Sequence, residues 1–256
     1  MIAAKGGYGD IQSHKISAGS QVKKIRYEFL PVGIDLREVA IYTPREVSYF
    51  LNINESTLRT WTLGRTYGRS KKFFPPLFEP ADKAARYLSF YNLAEAHILS
   101  AARNVHGVEI RSIRDAIREL SRTNDSKHPL LSHDFYTEGK NIFIKEIEQT
   151  INLSQSGQLT LKSIMDLYLE RIERDEQFNP SKLYPLIGGT SDSKIVSIMP
   201  FVSSGQPIID GEGIPVSAVW SRYRAGESVP YIADDYEISI PQVEGALNYV
   251  EHLRVA

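Results

Sequence analysis

The chain has 256 residues and a formal net charge of −1, and its 42% hydrophobic and 24% charged residues are ordinary for a globular protein of about two domains. It contains no cysteine, which excludes disulfides, thiol catalysis and Cys-ligated metal sites. No apolar run approaches the ~18 residues that a membrane-spanning helix needs. The N-terminus lacks the apolar segment of a signal peptide. We therefore expect a cytoplasmic protein that makes no membrane contact.

The charge is divided unevenly along the chain. Residues 1–123 contain 19 Lys and Arg against 12 Asp and Glu, whereas residues 124–256 contain 11 against 19. The two halves therefore carry +7 and −8. This asymmetry suggests a polyanion as the partner of the first half, although two solvated surfaces of different charge would give the same count.

The first strong helix signal begins at residue 43, after an N-terminal arm in which residues 22–30 form either a strand or a short helix. The sequence TPRE at 43–46 has the capping residue, the proline and the glutamate of a capping box. Val47, Phe50 and Leu51 then share one helical face. These features predict a short amphipathic helix that ends before the break at Asn52.

A second short helix is predicted directly after this break. Asn54 can cap it, Leu58 and Trp61 fall on its inner face, and Gly64 ends it. Two short helices joined by a three-residue turn form a helix-turn-helix, whose second helix lies in the major groove of DNA. The outward side of this second helix carries Ser56, Thr57, Arg59 and Thr60. Arg59 could bind a guanine edge or a phosphate, and the spacing alone leaves both open.

A basic segment follows the second helix. No acidic residue occurs between Glu55 and Glu79. The candidate phosphate-binding residues after the helix are Arg65, Arg69, Lys71 and Lys72. The prolines that follow, in Phe73–Pro76, exclude a helix, so the segment is predicted to be a wing beside the DNA-reading helix. A charged surface loop is the alternative.

The middle of the chain contains further helix signals and a predicted hairpin. Residues 98–105 and 110–120 each carry an apolar stripe at helical spacing. Residues 134–137 and 141–145 are predicted to be two strands around Glu138-Gly139-Lys140. Further short strands are predicted within 149–161, and the apolar residues between Ile164 and Ile172 predict another helix.

The C-terminal segment begins with two short apolar pieces, which predict strands at 195–198 and 207–209. Three helices are then expected at about 216–225, 228–235 and 240–253. Their outline again resembles a helix-turn-helix, but this unit is acidic and has no basic cluster.

We therefore predict a mainly α fold with small β elements (α+β): an N-terminal winged helix-turn-helix, a short central β-hairpin region and a C-terminal three-helix unit. The predicted divisions are an arm at 1–42, a winged helix at 43–123, a central region with linkers at 124–194 and the three-helix unit at 195–256. The histidines lack an H-x-x-x-H pair and no G-x-S-x-G motif occurs. We therefore predict no catalytic residues, no metal and no cofactor.

Two stretches resemble known families. Residues 43–122 resemble a MerR-type winged helix. The matching sequence is TPREVSYFLNINESTLRTW, which is followed by the wing and then by YLSFYNLAEAHILSAARN and VEIRSIRDAIREL. The segment at 195–252, with GQP, DGEGIPV and AGES, resembles the family called domain of unknown function 433. The combination is similar to long VapB-type antitoxins over about 43–256. One departure is a wing stretch longer than the usual MerR pattern.

This resemblance implies an antitoxin that silences a PIN-domain ribonuclease toxin and represses its own promoter. Because a ribonuclease presents a positive surface to RNA, the acidic half would attract it. The candidate toxin-binding residues are Asp234, Asp235 and Glu237, together with the charged run at 170–176. Two-fold operators require a dimer, so we expect a homodimer. The alternative is a stand-alone MerR-like regulator, with a sensor pocket lined by Phe135, Tyr136 and Phe143.

Overall fold

The computed structural model of the chain describes residues 33–67, 72–104, 108–123, 125–150, 155–186 and 194–254. The predicted strand or short helix at 22–30 lies outside these residues. The helices are α1 (Pro44–Phe50), α2 (Glu55–Leu63), α3 (Phe90–Arg103), α4 (Ile110–Thr123), α5 (Lys140–Thr150), α6 (Gln155–Leu169), α7 (Val216–Arg224), α8 (Val229–Asp235) and α9 (Ile240–Arg254). The strands are β1 (Arg65–Tyr67), β2 (Lys72–Phe74), β3 (Ile172–Arg174), β4 (Pro180–Leu183), β5 (Val196–Ser197) and β6 (Ile208–Ile209).

These elements confirm the predicted α+β class, in which helices predominate. Within the described residues, strands that are neighbours in sequence pair in antiparallel two-stranded sheets, β1–β2, β3–β4 and β5–β6. The C-terminal elements lie close to the predicted positions, with two short strands followed by α7, α8 and α9.

Helix α3 is the centre of the larger core. Every residue from Phe90 to Ala102 is buried, and one continuous apolar cluster joins α1 and α2 to α4, α5 and α6 around it. His97 lies within this core, where its Nε2 is 3.0 Å from the backbone oxygen of Tyr168. Burial lowers the pKa of His97 to about 3, so its imidazole is neutral and serves packing. The helix pair α1–α2 therefore rests on a rigid base.

The C-terminal unit has a second core of its own. Val219 of α7, Ile232 of α8, and Val243 and Ala246 of α9 are buried together. This unit docks on α1 through two hydroxyl groups. The buried Tyr249 hydroxyl donates to the Phe50 carbonyl at the end of α1, at 2.9 Å. The Tyr42 hydroxyl, directly before α1, donates to the Gly205 carbonyl at 3.1 Å.

The predicted central hairpin is wrong. Residues 134–137 and 141–145 form one helical segment, in which the π-helical turn Phe135–Gly139 continues directly into α5. The reason lies in the spacing of the buried residues. Phe135, Gly139, Phe143 and Ile147 recur every four residues and are buried, which is the period of a helical face. Gly139 marks a close approach, since a Cβ there would lie 3.2 Å from the Leu120 side chain on α4.

The predicted strands within 149–161 are also wrong. Residues 149–150 belong to α5 and residues 155–161 to α6, while 151–154 lie outside the described residues. Leu161, Met165 and Tyr168 line the buried side of α6, again at helical spacing. The central sheet lies further along the chain, as β3–β4, where the sequence had indicated a helix end and a linker. Asp175 closes its turn by accepting from the backbone NH of Asn179 at 2.8 Å.

Candidate nucleic-acid interface

The first helix of the pair is fixed by the predicted capping box. The Thr43 Oγ1 accepts from the Glu46 NH at 3.2 Å, and the Glu46 carboxylate accepts from the Thr43 NH at 2.8 Å. Two backbone NH groups at the start of the helix, which have no partner within the helix, are thereby hydrogen-bonded. Val47 and Phe50 are buried against the core, so α1 is anchored and can support α2.

Helix α2 is oriented by its cap and by two buried side chains. Asn52 takes a positive φ of 53° in the turn, and the Asn54 Oδ1 accepts from the Ser56 NH at 2.9 Å. Leu58 and Trp61 are 0% and 1% exposed. Because these anchors share one face, the opposite face of α2 points to solvent over the length of the helix.

The four α2 residues predicted to bind DNA differ in their surroundings. Arg59 is exposed and pairs with Glu55. The Ser56 hydroxyl donates to Asn54 Oδ1 at 2.7 Å, and the Thr60 hydroxyl donates to the Ser56 carbonyl at 2.9 Å. Thr57 is half-buried. The side chains therefore form a polar surface, in which Arg59 has the longest reach.

The predicted wing is present as the β1–β2 hairpin. Its register pairs Arg65 with Phe74. Gly64 permits this sharp entry, because it has a φ of +72° and a Cβ would lie 2.4 Å from the Phe74 carbonyl oxygen. The predicted phosphate ligands Arg69 and Lys71 lie outside the described residues, and of Lys72 the structure describes the backbone in β2.

A cleft of about 400 Å³ lies between helix α2, the start of the wing and the α3–α4 junction. Two arginines line it, Arg65 at the start of β1 and Arg103 at the end of α3. The α2 residues that line it are Ser56, Thr57, Thr60 and Trp61. Glu109, just before α4, also lines it. Arg103 had no local signal in the sequence, because only folding brings the end of α3 beside α2.

The three predicted toxin-binding acids lie together at the end of α8 and in the turn before α9. Asp235 accepts from Arg222 Nη1 at 2.5 Å, and Arg222 also donates to Glu227. Asp234 and Glu237 are exposed. Glu237 has a φ of +54°. Asp235 is therefore engaged within the unit, whereas Asp234 and Glu237 extend from its surface.

Two of the four acidic residues in the run at 170–176 make contacts within the protein. Glu173 accepts from the Tyr184 hydroxyl at 3.0 Å, and Asp175 pairs with Arg37. Partial burial would raise the pKa of Asp175, but the contact with Arg37 outweighs it and holds this pKa below its ordinary value. The other two acids of the run, Glu170 and Glu176, are exposed, as are Asp234 and Glu237.

Two family models match the two ends of this architecture. Residues 40–117 match the family described as "Putative DNA-binding HTH domain", and residues 196–250 match "Protein of unknown function (DUF433)". The chain combines a helix-turn-helix domain with a DUF433 domain. The helix-turn-helix domain contains α1, α2 and the wing, and the DUF433 domain contains the docked C-terminal unit.

The chain is similar to proteins of Mycobacterium tuberculosis, two of them from strain H37Rv. The chain is 29% identical to "Putative antitoxin VapB45" over 255 residues, covering 91% of this chain and 99% of that protein. It is 25% identical to "Uncharacterized protein Rv2308" over 229 residues, covering 86% and 93%. The crystal structure of Rv2018 from Mycobacterium tuberculosis superposes with a TM-score of 0.62 at 26% identity, covering 82% of this chain and 97% of that one.

Among the residues that the structure describes, no group of three His, Asp or Glu lies close enough together to hold a metal ion. No helix within the described ranges is long and apolar enough to cross a bilayer.

Proposed function

We propose that this chain is the antitoxin of a bacterial type II toxin–antitoxin pair. It binds the DNA of its own promoter as an autorepressor and neutralises a PIN-domain ribonuclease toxin. One observation carries the proposal: an outward-facing reading helix beside a basic cleft is joined to a DUF433 domain, along a chain that matches a putative antitoxin over 91% of its length.

The DNA-binding part of the proposal rests on the geometry of α2 and the wing. Helix α2 lies in the major groove, where Ser56, Thr57, Arg59 and Thr60 face bases and phosphates. The wing residues Arg65, Arg69, Lys71 and Lys72 bind phosphates. Arg65 supports this assignment, because it is exposed on the cleft beside α2. A homodimer places two such helices on neighbouring half-sites, about one helical turn apart.

Replacing Arg65 by alanine is expected to weaken promoter binding and to flatten its salt dependence. Each phosphate contact releases bound counterions, so the slope of log K against log salt changes by about 0.9 when one contact is lost. The measurement is fluorescence anisotropy with the labelled upstream DNA, titrated over several salt concentrations.

Arg122→Ala is the control, since Arg122 is an exposed arginine in the last turn of α4, outside the wing, and pairs with Glu119. Its salt slope should equal that of the wild type. A wild-type protein that binds its upstream DNA no more tightly than unrelated DNA would contradict the autorepressor role. An unchanged slope for Arg65→Ala would remove Arg65 from the phosphate ligands.

The toxin-binding part rests on the charge of the DUF433 domain. Residues 195–256 contain eight Asp and Glu against three Lys and Arg. An acidic surface attracts a basic ribonuclease through long-range electrostatics, which raises the association rate and is screened by salt. Asp234 and Glu237 are exposed on this domain, so they are the first residues to test.

Reversing the charge at Asp234 and Glu237 together is expected to slow toxin association severalfold at low salt, with little difference at high salt. The toxin is first obtained by co-purification with the tagged full-length chain and identified by mass spectrometry as a PIN-domain ribonuclease that the chain inhibits. Association rates are then measured by stopped flow. Glu79→Lys, an exposed acid outside this domain, is the control. Equal rates for the wild type and the double variant would contradict electrostatic steering by these two acids.

The alternative of a ligand-responsive regulator required Phe135, Tyr136 and Phe143 to line a sensor pocket. Phe135 and Phe143 are 1% and 0% exposed and pack edge to face, with ring centroids 5.9 Å apart. The Tyr136 ring instead covers Arg174, whose guanidinium carbon lies 5.1 Å from the ring centroid. These aromatic residues serve packing, which favours the antitoxin proposal.

A further inference from the structure

Arg59 was predicted to bind DNA, but its ion-pair partner at the start of α2, Glu55, was not. The Nε and Nη2 atoms of Arg59 each lie 2.9 Å from the same carboxylate oxygen, Glu55 Oε1. Their side chains are 54% and 38% exposed. Because both contacts end on one oxygen, the pair itself leaves Glu55 Oε2, Arg59 Nη1 and the second N–H of Arg59 Nη2 for other partners. It therefore presents a hydrogen-bond acceptor beside a group of donors.

The position of the pair suits base contact. Glu55 is the first residue of α2, and in a helix-turn-helix the N-terminal residues of the second helix reach the base edges. Leu58 and Trp61, buried beneath the helix, fix its rotation. The Asn54 cap fixes its start. The pair is thus held on a rigid element at the end of the helix that enters the groove.

The charge of Glu55 decides what Arg59 binds. A phosphate bound by Arg59 would lie beside the Glu55 carboxylate, and the two negative charges would repel each other. A base edge carries no such charge and offers both acceptors and donors. Phosphate binding is better served by Arg65 and Arg103, which both line the neighbouring cleft.

We infer that Glu55 and Arg59 together read one G·C base pair in the major groove. Arg59 donates to O6 and N7 of guanine, and Glu55 Oε2 accepts from the N4 amino group of the paired cytosine. Adenine offers one acceptor and one donor at this edge, so an A·T pair satisfies fewer of the donors of Arg59. Glu55 thereby becomes a specificity-determining residue. This inference rests on the proposed DNA-binding function.

The test measures base preference separately from phosphate binding. The wild type and the variants Glu55→Gln, Glu55→Ala and Arg59→Ala are each used to select from a pool of duplex DNA with a randomised core. Their affinities for the selected site, and for copies with each base pair exchanged, are then measured over a series of salt concentrations. Thermal unfolding confirms that every variant is folded.

Both Glu55 variants are expected to lose discrimination at one G·C position, on the order of tenfold, while the salt slope stays that of the wild type. Arg59→Ala should lose discrimination at the same position. Glu79→Gln is the matched control, because Glu79 also pairs with a cation four residues later on the surface, Lys83. Its base preferences should not change.

Two results would overturn the inference. The first is an unchanged preference at every position in the Glu55 variants. The second is a salt slope that falls by about 0.9 in Arg59→Ala, which would make Arg59 a phosphate ligand. In both cases the wild type still selects a sequence, and the proposed function stands. A wild type that selects no sequence would overturn the inference and the proposed DNA-binding function together.

Discussion

Gly205→Ala is expected to lower the free energy of unfolding by about 2–5 kcal/mol and to loosen the DUF433 domain from α1. A Cβ at Gly205 would lie 2.1 Å from the Tyr42 hydroxyl oxygen and 2.8 Å from the Tyr42 Cζ. Tyr42 is only 1% exposed, so its ring has little room to move. Overpacking of this kind costs about 1–3 kcal/mol, and the positive φ of Gly205, +75°, adds about 1–2 kcal/mol for any residue with a Cβ.

Gly211→Ala separates these two contributions. Gly211 also has a positive φ, +81°, but nothing lies within 4 Å of a Cβ built there. Urea unfolding of the two variants should therefore show a loss of about 1–2 kcal/mol for Gly211→Ala, from backbone strain alone, and a larger loss for Gly205→Ala. Similar losses in both variants would mean that the contact with Tyr42 does not hold the domains together.

Glu95→Ala is expected to destabilise the helix-turn-helix domain by about 3–5 kcal/mol, the cost of breaking a buried ion pair. Glu95 on α3 is 1% exposed, and its Oε2 lies 3.0 Å from His128 Nδ1. At this distance the Glu95 carboxylate stabilises the protonated imidazole of His128. Glu38 lies 3.5 Å from the other ring nitrogen. The substitution leaves a half-buried imidazolium beside a cavity.

The same pair makes stability depend on pH. Burial alone would lower the pKa of His128, but the contact with Glu95 and the charge of Glu38 outweigh burial and the nearby Lys127, so the pKa lies above the ordinary 6.5. The stabilisation that protonated His128 gives to the folded state is therefore complete below pH 6.5, and it is lost as the pH rises through the raised pKa of His128.

Unfolding free energies of the wild type and Glu95→Gln, measured from pH 5 to pH 9, test whether this stabilisation is lost as the pH rises. Their difference should shrink as the pH rises. His252→Gln, at an exposed histidine on α9, is the control. Its unfolding free energy should change with pH as that of the wild type does. A difference that grows with pH would show that His128 is neutral when it pairs with Glu95.

The parts of the fold that the sequence predicted are those specified by local signals. The capping box at Thr43, the Asn54 cap and the Gly64 stop fixed α1 and α2, because each acts within one turn of chain. The helices of the DUF433 domain were found for the same reason. The central helix at 140–150 was missed because its neighbours Glu138-Gly139-Lys140 resemble a hairpin turn. Gly139 in fact serves a close helix contact that exists only after folding.

The candidate site likewise contains parts that local sequence signals predict and parts that they do not. The exposed residues of α2 were predicted from the helical period, and the wing was predicted from its basic and proline-rich sequence. Arg103 required the structure, because it joins the cleft through tertiary packing. The pairing of Glu55 with Arg59 has a local signal, since the two residues are four apart on a predicted helix and so share one face. The predicted domain divisions stay predictions, since the described residues of the winged helix and the central region share one core.

Two hydrogen bonds from tyrosine hydroxyl groups join α1 to the DUF433 domain, one just before the first residue of the helix and one at its last. Contacts at both ends of α1 oppose its rotation and its translation relative to the DUF433 domain. The backbone bridge between Leu183 and Ile198 joins the central region to the same domain. We expect these contacts to limit the movement of the two domains against each other. In the homodimer that we propose, the distance between the two copies of α2 would then depend on the junction between the domains. A mutation at this junction would change the half-site spacing that the dimer recognises without altering any base contact.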